Sequence, residues 1–593
     1  MRAALLVAAL GVVGCTGSVD APNAGEPAGG SSSTATGGTQ SSGGSTGKAT
    51  GGSGGSAASG GSSASGGSSA ASSTGGSAGT GTVGTGGSAG TGTTTGCAPE
   101  AVPDVGPSVL RRLSNLEYQL TLAELFQLET PPALDGIPGD ALKDGFEIAA
   151  TQAVSALHLR GYLEKATTLA SALLSDATRR AKVLGCEPTE PTCLESFVTE
   201  FGRLAYRRPL EASEVSAIVD AATEHGSDAQ DRIRFAFEAL LTSPSFLFRV
   251  EVGNTPEGVS TLNGYELASR LSFAIWGRSP SAALLDRAAA GALDTPTGLA
   301  SAAQTLLADP RAHQFFGAFF RRWLGFETLR TPVPPPADWS DQLLPAMQAE
   351  TDGVLSDFAW QDRNFFEVLT TSSTRVSPAL ANFYGLPTPG ADGAVTIPST
   401  HVRAGTGLLT HASLLSAKRD GDLIAVRGNW LRSAFLCDHV APIDLTAATE
   451  ELEGLTRVEI VKRRNMRPDC AGCHALLDPI GVAFAEFDQT GRYDDSLDLS
   501  VYGIATELPD TPDPAFDTIA ELSQKLATLP NVTSCLTSRA FLYVNGREPD
   551  ALDGCTVSQV SNQFTSNDYG FTTLLASLVE SPAFRTRRAP AAP

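Results

Sequence analysis

The stretch Leu113-Ser114-Asn115-Leu116-Glu117-Tyr118 contains a complete start signal for an α-helix. Ser114 and Glu117 stand three residues apart, the spacing of a capping box in which each side chain binds the other residue's backbone N–H. Leu113 and Tyr118 occupy the positions of a hydrophobic staple, and an apolar stripe of helical period follows them. The stretch therefore predicts a helix that begins at Ser114.

Helix signals of the same kind recur along the chain. Asn263-Gly264-Tyr265-Glu266 predicts a second helix, which Trp276 would close. Ser243-Pro244 and Ser581-Pro582 each predict a short helix, because serine favours the N-cap and proline the first helical position. The shared Ser-Pro-x-Phe pattern indicates either ordinary helix punctuation or an internal duplication.

Aromatic residues are concentrated between 315 and 324 at helical spacing. They are Phe315, Phe316, Phe319, Phe320 and Trp323. This pattern predicts a core helix rather than a cofactor site, with Arg321 and Arg322 toward solvent. Extended segments are few: 394–397, and 492–493 with 501–502, predict small hairpins near 390–405 and 490–505. The predicted fold class is mainly α, multi-module, with minor β hairpins.

The N-terminus carries an export signal. Residues 1–14 contain one basic residue and an apolar run too short to span a bilayer. Val12-Val13-Gly14-Cys15 is similar to a bacterial lipobox, which predicts cleavage before Cys15 and lipid attachment to it; an ordinary secretory signal is the alternative. Residues 15–97 are almost entirely Gly, Ser, Thr and Ala, so we expect a disordered tether with a span of roughly 50 Å.

These features predict a lipoprotein of the bacterial cell envelope, in the outer membrane and facing the periplasm or the cell surface. The membrane is then a partner through the lipid anchor alone, because no other stretch is long and apolar enough to cross it. The net charge is −22, and the basic residues form no dense cluster. Nucleic acid is therefore disfavoured as a partner.

The cysteine content fits an oxidising compartment. Apart from positions 15, 470 and 473, the cysteines are Cys97, Cys186, Cys193, Cys437, Cys535 and Cys555. Three disulfides would use them all. Proximity favours Cys186 with Cys193 and Cys535 with Cys555, which leaves Cys97 with Cys437, although the other connectivities remain open.

Cys470-Ala471-Gly472-Cys473-His474 has the C-x-x-C-H spacing of covalent haem attachment in c-type cytochromes. Two thiols at this spacing can add to the two haem vinyl groups, and His474 would be the proximal iron ligand. A zinc site would need about two further ligands, and no second C-x-x-C occurs. A structural or redox disulfide between Cys470 and Cys473 is the third interpretation, although the thioredoxin-like arrangement of strand, motif and helix is missing.

Two features follow the motif. Asp478-Pro479-Ile480-Gly481 predicts a turn that folds the chain back over it. Glu486 and Asp488 flank Phe487 and could serve acid–base chemistry, but a solvated face beside a buried aromatic residue is the favoured interpretation. Nucleophile elbows, zinc-protease helices and phosphate-binding loops are missing from the body that follows the tether, so a hydrolase has no support. Whether the protein is an enzyme stays open.

Landmarks follow one another along the body at 110–118, 201–210, 243–249, 265–273, 403–410, 470–474 with 478–481, and 543–547. This series resembles the planctomycete and myxobacterial proteins assembled from the domains of unknown function 1587, 1595, 1592, 1588 and 1585. The resemblance covers roughly residues 108–587. It implies helical modules at 108–170, 186–252, 260–388 and 513–587, with the C-x-x-C-H module at 400–505. It supplies no established reaction.

One departure from these relatives concerns the second axial ligand of the iron. The relatives commonly place a histidine six residues before the first motif cysteine, where this chain has Arg464. The remaining candidates are His439 first, then His411 and His401, each of which could equally be a surface or turn histidine. Met466 lies too close to the motif to reach the opposite haem face. A five-coordinate iron would favour binding of a small molecule or peroxide.

Two functions from different classes fit these observations. The first is a lipid-anchored monohaem c-type cytochrome that passes electrons to a periplasmic or surface redox partner, with one haem c on Cys470 and Cys473. The second is a surface interaction or polysaccharide-binding lipoprotein in which both cysteines are structural. A redox enzyme acting on an extracellular substrate is intermediate between them.

Overall fold

A computed structural model of the chain describes residues 105–588, except 107, 109, 144, 148–153, 256–257, 338, 362, 418–422, 439 and 441–453. The predicted signal peptide, Cys15, the tether of residues 15–97, Cys97 and His439 lie outside the described residues. Within the described part, helices dominate and strands form only short antiparallel pairs, which confirms the predicted fold class. No helix in that part is long and apolar enough to cross a membrane.

The α-helices of the described part are joined mostly by short connections. They are α1 (Asn115–Leu125), α2 (Ala156–Ser175), α3 (Ala177–Leu184), α4 (Cys193–Tyr206), α5 (Ala212–His225), α6 (Ala229–Thr242), α7 (Pro244–Leu247), α8 (Gly264–Trp276), α9 (Ala282–Ala289), α10 (Pro296–Leu307), α11 (Pro310–Leu324), α12 (Leu343–Ala359), α13 (Pro378–Tyr384), α14 (Ala412–Ala417), α15 (Leu423–Leu431), α16 (Arg457–Met466), α17 (Pro468–Gly481), α18 (Ile519–Thr528), α19 (Pro530–Asn545), α20 (Gly554–Ser566), α21 (Phe571–Glu580) and α22 (Pro582–Arg585). Short 3-10 helices lie at Phe365–Leu369, Gly407–Thr410, Val482–Phe484, Leu499–Tyr502 and Ala551–Asp553, and a π-helix at Arg432–Leu436.

The two predicted capping signals form as expected. The Ser114 hydroxyl accepts from the Glu117 backbone N–H at 3.2 Å, and the Glu117 carboxylate accepts from the Ser114 backbone N–H at 2.9 Å. Asn263 caps α8 in the same way, and α8 ends at Trp276. These starts were predictable because a capping box involves only residues three apart, so its geometry does not depend on the rest of the fold.

The strands form two-stranded antiparallel pairs. β1 (Arg111–Arg112) pairs with β4 (Phe248–Arg249), β2 (Leu142–Lys143) with β3 (Phe146–Glu147), β5 (Val259–Thr261) with β8 (Thr586–Arg588), and β6 (Ser373–Arg375) with β7 (Ala394–Thr396). The strand predicted near 390–405 is therefore present as β7. Its partner β6 lies upstream, so the pair is not a local hairpin.

The hairpin predicted near 490–505 is wrong. Tyr493 makes only an isolated bridge to Phe487, and Val501 and Tyr502 belong to a 3-10 helix. The Asp498 carboxylate accepts from the Ser500 backbone N–H at 2.9 Å and caps this helix. A short acidic side chain that binds the backbone two residues ahead favours a turn over a ladder.

The Ser-Pro-x-Phe segments occupy equivalent places in two copies of one arrangement. Ser243 and Ser581 are the N-caps of α7 and α22, as predicted, and these helices lead directly into β4 and β8. Each of those strands pairs with a strand that immediately precedes a helix with a capping box, β1 before α1 and β5 before α8. Residues 111–249 and residues 259–588 are therefore each closed by a pair between their first and last strands.

A buried arginine completes each copy. Arg207 donates to the backbone carbonyls of the residues two, three and five positions after Ser243, at 2.6, 3.1 and 2.7 Å. Arg270 donates to the carbonyls at the same three positions after Ser581, at 3.3, 2.8 and 2.9 Å. Four-residue helices leave their carbonyls without intrahelical partners, and the guanidinium groups supply these donors. This correspondence favours an internal duplication over ordinary punctuation.

Helix α11 lies in the core, as its aromatic spacing predicted. Phe315, Phe316, Phe319, Phe320 and Trp323 are all buried. The expectation that both following arginines face solvent is only half right. Arg321 is half-exposed beside Asp352, but the Arg322 side chain is mostly covered and donates to Glu147 at 2.9 Å. Glu147, which compensates the charge of this cation, belongs to β3 and lies far away in sequence.

The disulfides confirm one predicted pairing and contradict the other two. Cys186 bonds Cys193, as proximity predicted. Cys437, however, bonds Cys535, so neither the pairing of Cys535 with Cys555 nor that of Cys97 with Cys437 occurs. Cys555 is also disulfide-bonded. The π-helix that ends before Cys437 packs against α19, and this tertiary contact, not sequence separation, brings the two thiols together.

Candidate functional site

The C-x-x-C-H motif lies on helix α17. Cys470, Cys473 and His474 stand at positions i, i+3 and i+4, which place them on one face of the helix. All three are partly exposed, and both cysteines are free thiols. Gly472 is exposed, with open space where a Cβ would stand. The helix thus presents two thiols and an imidazole side by side on an accessible surface.

The His474 ring is oriented by a buried carboxylate one turn further along. Its Nδ1 lies 3.1 Å from Oδ1 of Asp478, which is completely buried. Because a carboxylate accepts, this hydrogen bond assigns the proton of the neutral ring to Nδ1 and leaves the lone pair on Nε2. Histidine ligands of metals are commonly held in this way.

Asp478 is itself held by two residues of α16. Arg464 donates to both of its carboxylate oxygens, at 2.8 and 2.6 Å, and Asn465 donates at 2.7 Å. Burial by itself raises the pKa of Asp478, but the hydrogen bonds from His474 and Arg464 outweigh it and hold the pKa below the ordinary value. The carboxylate is therefore a charged, fully bonded acceptor.

The sequence did not predict this arrangement around Asp478. Arg464 stands where the relatives have a histidine, and in the structure it is the residue that fixes Asp478. The available signal was the four-residue spacing of His474 and Asp478, which places both on one helical face if the helix continues.

The turn predicted at Asp478-Pro479-Ile480-Gly481 does not form. Helix α17 continues through Pro479 to Gly481. A Cβ on Gly481 would overlap the Ile424 carbonyl oxygen, and one on Gly428 would overlap the Leu477 carbonyl oxygen. Glycine therefore serves here for the close crossing of α15 and α17, not for a reversal of the chain.

Of the two carboxylates after the motif, Asp488 serves structure. Asp488 accepts from the backbone N–H groups of Thr490 and Arg492, at 2.7 and 3.0 Å, and so holds a turn. The carbonyls of Phe484 and Phe487 receive hydrogen bonds from the buried Arg427, at 2.8 and 2.6 Å. Burial lowers the pKa of Arg427 to about 10. This contact network fixes the segment that follows α17 and supports no acid–base pair.

The other predicted iron ligands are engaged elsewhere, apart from His439, whose position is not described. His411 is buried, and its Nδ1 lies 2.9 Å from the Thr351 hydroxyl. The Nε2 of His401 lies 3.0 Å from the backbone carbonyl of Tyr384. Burial is the main cause that lowers the pKa of both rings. Met466 is 77% exposed at the end of α16, just before the motif helix.

The residues present fit a covalently attached haem. Two free thiols with C-x-x spacing and an imidazole with a free Nε2 supply the donor set that such a group requires. Zinc finds less support, because no group of three or more His, Cys, Asp or Glu side chains within the described part of the chain is arranged to hold a metal ion. A disulfide between the motif cysteines is not formed in the structure.

Fold and site together define a class: a multi-domain α-helical protein with a C-x-x-C-H motif on an accessible helix face. Five family models match the chain, each described as a protein of unknown function: DUF1587 at 111–175, DUF1595 at 193–251, DUF1592 at 262–386, DUF1588 at 405–496 and DUF1585 at 513–584. The chain belongs to the proteins assembled from these five domains, as its landmarks predicted. The DUF1588 model, which contains the motif, carries the cytochrome-like name PSCyt3. No curated protein and no solved structure matches the chain.

Proposed function

We propose that the protein is a monohaem c-type cytochrome that transfers electrons at the bacterial cell envelope. The observation that carries this proposal is the joint presentation of Cys470, Cys473 and His474 on one accessible face of α17. Each thiol would add across one vinyl group of the haem, so that S–H and C=C become a thioether without any oxidant. Haem bound in this way supplies a one-electron redox centre.

The surrounding residues support this role by fixing the proximal histidine. Asp478 keeps the Nδ1 proton of His474 in place, so Nε2 points away from the carboxylate with its lone pair free. Arg464 and Asn465 prevent the carboxylate from rotating away. The glycine contacts between α15 and α17 fix the helix that carries all of these groups.

The cellular location is part of the same proposal. A lipid on Cys15 would anchor the protein in the outer membrane, and the chain from 15 to 97 would let the helical body reach a redox partner roughly 50 Å away. Attachment of haem c takes place outside the cytoplasm, so haem binding requires export. Cys15→Ser should move the protein from the detergent phase to the aqueous phase in Triton X-114 partition, whereas detergent partition of this variant would contradict the anchor.

The decisive experiment is expression of the full chain together with a cytochrome c maturation system. The wild type should be red, should retain haem on a denaturing gel, and should give the pyridine haemochrome spectrum of a haem with two thioether bonds. Cys470→Ala/Cys473→Ala should lose covalent haem while its circular dichroism stays that of the wild type. Gly472→Ala is the matched control: it alters the same exposed turn in open space and should retain haem. A folded, colourless wild type would overturn the proposal and favour a surface interaction or polysaccharide-binding lipoprotein.

A further inference from the structure

Four landmark segments that the motif leaves unexplained meet at one cavity. The cavity has a volume of about 30 Å³, and its charged lining consists of Arg111, Arg249, Arg270, Arg547 and Glu251. Each arginine belongs to a region matched by a different family model: DUF1587, DUF1595, DUF1592 and DUF1585 in that order. Four of the five domains therefore build this cavity jointly.

Three of the arginines have a carboxylate of their own. Arg111 donates to Glu117 at 2.8 Å, Arg270 to Glu251 at 2.9 Å, and Arg547 to Asp553 at 2.8 Å. The pKa of Glu251 lies below its ordinary value: burial alone would raise it, but the charge of Arg270 outweighs burial. These pairs balance three of the four positive charges.

Arg249 is the fourth cation, and within the described part of the chain it has no carboxylate to itself. Its guanidinium is almost completely buried, 3.5 Å from Glu117 and 3.8 Å from Glu251, which already bind the other two arginines. Among the described residues, no acceptor is hydrogen-bonded to its Nε or Nη1, nor to Nε or Nη1 of Arg111. Burial and the neighbouring charge of Arg111 lower the pKa of Arg249 to about 10.

The backbone places these two cations opposite each other. Arg111 and Arg249 are direct partners in the β1–β4 pair. Like charges at such positions destabilise a strand pair, and buried donors without acceptors cost further free energy. Gly546 permits the crowding, because its φ is +68° and a Cβ there would overlap the Arg111 guanidinium.

We propose that this cavity binds a small monovalent anion, either chloride or the carboxylate of a small acid such as formate. One negative charge would neutralise the excess positive charge, and the free N–H groups of Arg111 and Arg249 would be its donors. The volume accommodates about two water molecules, which suits an anion of this size and excludes large organic anions. Binding would stabilise the contact among the four domains.

The test is thermal unfolding of the full chain at constant ionic strength and pH. The starting buffer contains the sodium salt of MES, a large sulfonate, which is then replaced stepwise by sodium chloride or sodium formate. The melting temperature of the wild type should rise and saturate with at least one of the two, and the one that saturates at the lower concentration is the preferred ligand. A rise that does not saturate, or no rise with either anion, overturns the proposal.

Arg249→Met separates binding from a purely structural role. Methionine has a side chain of similar length but no charge, so this variant removes an uncompensated buried charge. It should be at least as stable as the wild type in MES and should bind the anion at least tenfold more weakly. Arg160→Met is the matched control: Arg160 is exposed and pairs only with Glu164, so the anion response should persist. An unchanged response in Arg249→Met contradicts the site. If Arg249→Met does not fold, diffraction from bromide-soaked wild-type crystals decides: an anomalous peak between Arg111 and Arg249 supports the site, and its absence overturns it.

Discussion

Replacing Asp478 by asparagine should destabilise the protein by about 3–5 kcal/mol, the usual cost of removing one partner of a buried ion pair. The wild-type carboxylate is completely buried and accepts hydrogen bonds from Arg464, Asn465 and His474. The asparagine NH₂ would face these donors in place of an acceptor, and the Arg464 charge would stay buried without its counter-ion. A loss of this size is a large fraction of the typical free energy of unfolding, about 5–15 kcal/mol.

Urea unfolding followed by circular dichroism measures the effect, with wild type and variant prepared in the same haem state. Arg464→Met/Asp478→Leu gives the matched comparison, because it removes both charges together and should be more stable than Asp478→Asn. A loss below about 1 kcal/mol in Asp478→Asn, or a double variant as unstable as the sum of its single changes, would refute the reasoning.

The pH dependence of the stability difference between the wild type and Asp478→Asn is a second check. The folded-state pKa of Asp478 lies below its ordinary value of 3.8, so the carboxylate contributes stability above that pH. This contribution is lost as the pH falls through the folded-state pKa. The stability difference between wild type and Asp478→Asn should therefore be complete near neutral pH and shrink at pH values below 3.8. A difference that stays constant down to strongly acidic pH would contradict the assigned charge state.

Gly481→Ala should lower the free energy of unfolding in urea by about 1–3 kcal/mol, because its methyl group would meet a backbone carbonyl of α15. Gly472→Ala, in open space, should stay within about 0.5 kcal/mol of the wild type. Cys437→Ala/Cys535→Ala should lower stability by about 5 kcal/mol, since the disulfide closes a loop of 98 residues; peptide mapping without reductant should recover this pair. Arg427→Met should lower the melting temperature more than a typical surface substitution, because it leaves buried carbonyls without donors. Equal stability of this variant and the wild type would show that water replaces the guanidinium.

Local signals in the sequence were sufficient for the helix starts. Ser114 and Asn263 cap their helices through contacts within three residues, and Ser243 caps its helix through the backbone N–H of Ser245. The aromatic spacing of α11 likewise reports burial, because one helix face must be covered whatever covers it. Such features could be predicted without knowing any tertiary neighbour.

Features that depend on a distant partner could not be predicted. Gly481 looks like a turn residue until α15 is placed against it, and Cys535 has a nearer cysteine in sequence than the one it bonds. Arg464 looks like a lost ligand until Asp478 is found 14 positions further on. In each case the partner belongs to another element, and the residues near each position in sequence do not indicate how close that partner lies in space.

The sequence by itself determined the helical class, the helix starts and the C-x-x-C-H motif, because each is a short pattern with its own local geometry. Its series of landmarks likewise identified the set of five domains, confirmed by the family models. Only the tertiary structure decided that a buried Asp478 orients His474, and that four arginines from four domains share one cavity with a positive charge in excess. The physical reason is that hydrogen bonding and charge balance depend on distances in space, which long-range packing sets.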